Sequence, residues 1–90
     1  MKYPDATWTP GPAGKQGYAG TNVRTGEGAV LHSMEGSLEA ALGELNRPER
    51  QASWHFSNPK AGPLLQHYET EAVAWHAGGA ANRLYIGIEH

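Results

Sequence analysis

Five histidines, His32, His55, His67, His76 and His90, are the side chains of this 90-residue chain best suited to chemistry. Imidazole is the commonest protein ligand for zinc and the usual proton carrier near neutral pH. No two of the five are separated by one or three residues, so neither a strand nor a helix presents a local ligand pair. Any metal site must therefore be assembled from distant segments. By spacing alone His32 is either a ligand or a satisfied strand histidine. His55 and His67 lie about equally far from the tip of an expected hairpin, which permits a cross-strand metal pair or a hydrogen-bonded structural pair. His76, between Trp75 and two glycines, is either a rim residue packed on Trp75 or a ligand-contacting group at a pocket edge.

Among the carboxylates, Glu89 closes the last apolar run. It is either a solvated strand end or a carboxylate aimed at a crevice, because sites gather at strand ends in α/β sheets. Glu35 and Glu71 lack such placement and read as surface charges. Ser33 and Ser53 each neighbour a histidine in sequence, but adjacent strand residues point to opposite faces. A serine nucleophile with its base is therefore excluded there. Gly78-Gly79 and Gly26-x-Gly28 lack the spacing and the Lys-Ser/Thr ending of a phosphate loop.

Composition narrows the partners. The formal net charge is −2, with Lys and Arg at 7 against Asp and Glu at 9. This argues against nucleic acid, whose binders carry a basic surface, and against a polybasic membrane module. With no cysteine, a disulfide scaffold, a thiolate metal site and a cysteine nucleophile are all excluded within the chain. No apolar run approaches the ~18 residues of a membrane span, and no apolar core follows Lys2 to make an export signal. Gly and Pro make up a fifth of the residues, against about 12% on average, so turns should be abundant.

The elements that must position these groups follow from patterning. Residues 1–27 read as an irregular lead-in, since two prolines and two glycines within residues 9–14 break regular structure; Trp8 and Tyr18 are expected to pin it to the domain. Residues 28–33 read as a strand. Residues 37–46 read as a helix with Ser37 as N-cap, an apolar stripe of Leu38, Ala41, Leu42 and Leu45, and a stop at Asn46 and Pro48. Residues 52–57 and 64–68 read as a hairpin around a turn at residues 58–63. A short segment at 72–76, a glycine-rich loop at 77–82 and a last strand at 84–89 complete the chain. The class is α/β (α+β), with a mixed central β-sheet and at least one packed helix. A sheet that ends on a buried strand is expected to leave one face thinly covered, as in the front part of a larger domain.

Four pieces in order carry a resemblance. Val30-Leu31-His32-Ser33-Met34-Glu35-Gly36, Ala52-Ser53-Trp54-His55-Phe56, and Gln66 in the returning strand come first. Ala74-Trp75-His76-Ala77-Gly78 with Asn82 and Ile86-Gly87-Ile88-Glu89 follow. Together, residues 28–90 resemble the N-terminal half of the zinc N-acetylmuramoyl-L-alanine amidases, the type-2 amidase and peptidoglycan-recognition-protein superfamily, with the flavour of phage endolysins.

The resemblance implies a hydrolase that uses zinc-activated water to cut the amide between N-acetylmuramic acid and the L-alanine of the stem peptide. It implies His32 as a zinc ligand, Glu89 as the catalytic carboxylate, and Trp54, Trp75, His76 and Asn82 as substrate-binding residues. At the Trp54 position some relatives carry a catalytic tyrosine, and tryptophan has no hydroxyl to replace it. The second and third zinc ligands of the family lie beyond the last strand seen here, so this chain alone is expected to bind zinc weakly and to be inactive. The implied partner is peptidoglycan, in the bacterial cell wall, reached by phage-type release from the cytoplasm. The alternative is a non-catalytic peptidoglycan-binding module.

Overall fold

The computed structural model describes residues 1–17, 28–34 and 36–90. Tyr18, Gly26 and Glu35 lie outside them. Among the described residues five short strands form one mixed sheet: β1 (Thr7–Trp8), β2 (Ala29–His32), β3 (Phe56–Ser57), β4 (Leu65–Gln66) and β5 (Ile86–Glu89). Their order is β1-β4-β3-β5-β2. β5 is parallel to both β2 and β3, β3 and β4 are antiparallel, and β1 is parallel to β4. The mixed sheet expected from the sequence is present, and the expected 52–68 hairpin forms with shorter strands, Phe56–Ser57 against Leu65–Gln66.

Helix α1 (Leu38–Leu45) starts where its cap predicts: the Ser37 hydroxyl accepts the Ala40 amide at 3.1 Å. It ends at Asn46, whose side-chain amide donates to Leu42 O at 2.9 Å. Ala41 and Leu45, one turn apart on the expected stripe, bury against Trp54, Tyr68 and Ala72. The C-terminal carbonyls of α1 meet a cation. Lys15 is almost fully buried, and its ammonium donates to Leu45 O at 2.7 Å, Arg47 O at 3.1 Å and Glu44 O at 3.3 Å. A positive charge there also opposes the negative end of the helix dipole.

Four expectations are corrected. The lead-in contributes an edge strand, β1, because Thr7 N and Thr9 N donate to Leu64 O and Gln66 O. Trp8 does not pin it: its ring is exposed, with Lys2 Nζ 4.3 Å from the ring centroid. Tyr68 does so instead, its hydroxyl donating to Pro12 O at 2.7 Å beneath Gly11. The glycine-rich stretch is not a loop throughout, since helix α2 (Gly79–Leu84) begins within it and delays β5 to Ile86. Residues 72–76 add to no strand, and Ala74 makes an isolated bridge with Gln16. Among the described residues no helix is long and apolar enough to cross a membrane.

Candidate functional site

The register of the parallel strands assembles the site. His32 pairs with Glu89 across β2 and β5, and Glu89 pairs with Ser57 across β5 and β3. Side chains in register share a face of the sheet. His32, Glu89 and Ser57 thus form one row, at the C-terminal ends of three mutually parallel strands, where open α/β sheets collect ligands.

His76 completes the group from outside the sheet. Its Nδ1 lies 3.1 Å from His32 Nε2, and its Nε2 lies 2.9 Å from Tyr85 O. A carbonyl only accepts, so His76 Nε2 carries the proton. With both rings neutral, His76 Nδ1 is then an acceptor and His32 Nε2–H is its donor. The chain of bonds therefore assigns the tautomer of His32. The two rings meet edge to face with centroids 5.3 Å apart. Glycine at position 87 makes this approach possible: a Cβ there would lie 2.5 Å from His76 Cγ.

His55 and His67 oppose each other in the hairpin, as expected, but are no metal pair. His55 Nδ1 accepts the Gly87 amide at 3.0 Å and its Nε2 lies 2.8 Å from Ala72 O. His67 joins a relay of buried groups. Trp54 Nε1–H donates to Ser57 Oγ at 2.9 Å, Ser57 Oγ–H to His67 Nε2 at 2.7 Å, and His67 Nδ1–H to Thr9 O at 2.8 Å. Burial pushes the His67 pKa down, against the opposing pull of the Thr9 carbonyl. Among the described residues every buried polar side-chain atom has a partner.

This relay changes the reading of Trp54. Its indole is buried in the core with its N–H committed to Ser57, so its ring has no face to offer a sugar or peptide. Asn82 is also buried, on α2, and its Oδ1 is occupied by three backbone amides. Trp75 keeps an accessible edge. Its N–H donates to Gly17 O at 3.1 Å, and it lines a cavity of about 400 Å³ with Gln51, Gly78 and Asn82. Sequence reasoning missed Gln51, which sits in a polar connector with no periodicity to mark it. It also missed the role of Gly87, which only the position of His76 reveals.

The expected zinc is tested by the donor set. His32 offers one imidazole, but among the described residues no group of three His, Cys, Asp or Glu side chains is placed to hold a metal. These residues do not make a zinc site on their own.

Residues 22–90 match the N-acetylmuramoyl-L-alanine amidase family. The chain is 32% identical over 91 residues to N-acetylmuramoyl-L-alanine amidase A of Achromobacter lyticus, covering 100% of this chain and 49% of that protein. It is similar in fold to a mutant endolysin from Bacillus subtilis, with TM-score 0.72 and 25% identity over 91% of this chain and 57% of that one. It is also similar to the catalytic domain of XlyA, with TM-score 0.58 and 29% identity over 80% and 55% of the two chains. The chain thus spans about half the length of the relatives it matches.

Proposed function

The chain belongs to the N-acetylmuramoyl-L-alanine amidase family, and from that premise we propose that the protein containing it hydrolyses the amide between N-acetylmuramic acid and the L-alanine of the peptidoglycan stem peptide. The observation that carries the reading is the His32–Glu89 pair, in register at the C-terminal ends of β2 and β5, with His76 bonded to His32. Amide hydrolysis requires a water proton to be removed as the nucleophile attacks. Glu89 is the group that takes it. His76 and Trp75 are the side chains that contact the glycan-peptide junction, beside His32 and Glu89.

The metal part of the proposal is narrower. His32 contributes one imidazole to a zinc ion whose other donors are not among the described residues. The place of action is the bacterial cell wall, reached by phage-type release from the cytoplasm, a reading that the likeness to an endolysin supports.

The test is digestion of purified peptidoglycan by the full-length protein, with and without a chelator. Mass spectrometry should find new muramic-acid lactyl ends and new L-alanine amino termini, both lost on chelation and restored by zinc. Retention on insoluble wall with neither product would instead establish a binding module. That second reading draws on the incomplete donor set.

A further inference from the structure

Asn82 Oδ1 accepts three consecutive backbone amides, from His76 at 2.9 Å, Ala77 at 2.7 Å and Gly78 at 3.0 Å. Successive amides converging on one oxygen form a concave nest suited to an acceptor or an anion. Asn82 is 1% exposed, so that oxygen faces the chain and not solvent. Gly78 provides the turn, at φ +78°, a conformation that other residues rarely adopt. The peptide fixed by the first of these bonds bears the His76 side chain. That ring is held at its far end by Tyr85 O and meets His32 at its near end.

We propose that Asn82 is the positioning residue of the site: by gathering the 76–78 amides onto one oxygen, it sets His76 against His32 and so fixes the tautomer of His32. This deepens the amidase reading and rests on it for its catalytic consequence. The three amides require an acceptor oxygen from the side chain. A carboxylate keeps that oxygen, and backbone N–H groups bond a charged acceptor more strongly, whereas an alkyl group leaves three amides without their partner.

The test compares Asn82→Asp, Asn82→Ala and a control, Lys15→Met, which removes only the ammonium bonds to the last carbonyls of α1. Two readouts are taken on the full-length protein, the first with metal removed by a chelator and the second with zinc added. Long-range ¹H–¹⁵N spectra report the tautomers of His32 and His76, and kinetics on a soluble muramoyl-peptide report kcat and KM. Asn82→Ala should mix the tautomers and lower kcat about 100-fold, the scale of an ~1 Å misplacement. Asn82→Asp should restore both readouts, and Lys15→Met should leave both unchanged while lowering the melting temperature. Unmixed tautomers in Asn82→Ala, or a loss in Lys15→Met as large as in Asn82→Ala, would overturn the positioning role. If the wild-type protein cleaves nothing while Asn82→Ala still mixes the tautomers, the amidase reading fails and the positioning role stands.

Discussion

The ring of His76 rests over the backbone of Gly87, so close that the first carbon of any side chain at 87 would meet its Cβ, Cγ and Cδ2 at 2.5 to 2.8 Å. β5 pairs with strands on both sides, so it cannot retreat from the ring without disturbing two ladders. His55 adds a third restraint, accepting the Gly87 amide on its ring and donating its own amide to Gly87 O. The position of the site imidazole and the lack of a side chain at 87 are one structural fact.

Gly87→Ala therefore acts on His76 first. The ring must leave its place, breaking the bonds to His32 and Tyr85. Overpacking of this kind costs roughly 1–3 kcal/mol. Chemical denaturation should show that loss, and ring spectra should show His76 released. An alanine variant with wild-type stability and an unmoved His76 would contradict the packing described.

Glu89→Gln keeps the shape of the side chain and removes its basicity. Under the proposed role, kcat should fall by about 10²–10⁴-fold, the usual worth of general acid–base catalysis, with KM little changed. Steady-state kinetics on a muramoyl-peptide decide the matter. A loss confined to KM would make Glu89 a binding group and not a base.

The parts of this fold legible in the sequence are those governed by local rules. The α1 helix was marked by a cap three residues before its bonded amide and by a stripe at helical spacing. The hairpin was marked by its proline- and glycine-rich turn. The site was legible as a set of residue types, His32, His76 and Glu89, but not as a geometry, because the parallel register joining residues 57 apart leaves no periodic trace. Trp54 was misread for a related reason: an aromatic beside a histidine looks the same whether its ring faces solvent or core. Lys15 was invisible because its three partners are carbonyls, which every residue carries. Helix α2 was hidden by its glycines, whose low helix propensity is overridden where the 76–78 amides and Asn82 lock its start.

Acid should weaken the fold through His67. Burial holds its folded pKa below the ordinary 6.5, while in the unfolded chain it titrates near that value. Above about pH 6.5 both states are neutral there and the contribution is intact. As the pH falls below 6.5, the unfolded chain takes up a proton that the folded one refuses, and stability drops by up to about 1.4 kcal/mol per pH unit. The loss levels off once the pH is below the folded pKa. Protonation also removes the acceptor that Ser57 uses. Urea midpoints measured downward from pH 7.5 should decline from 6.5, and His67→Gln should flatten that part of the decline. An unaltered profile in the variant would assign the acid sensitivity elsewhere.

Lys15→Met tests whether a buried cation holds the lead-in to α1. Burial pushes the lysine pKa below its ordinary 10.5, with Glu44 opposing the shift, so the charged form is retained at some cost. Methionine keeps the unbranched apolar stem but leaves the carbonyls of Leu45 and Arg47 without the ammonium that meets them. Losing charge-assisted bonds and stranding their acceptors costs about 1.5–3 kcal/mol. The variant should unfold at lower urea, with faster amide exchange in the last turn of α1. The pH dependence has the opposite origin to a simple salt bridge. Between the lowered folded pKa and 10.5 the unfolded chain holds the proton more tightly, so wild-type stability should rise with pH across that window, and this contribution to the rise should be absent from Lys15→Met. A variant as stable as the wild type would show that the cap adds nothing to the fold.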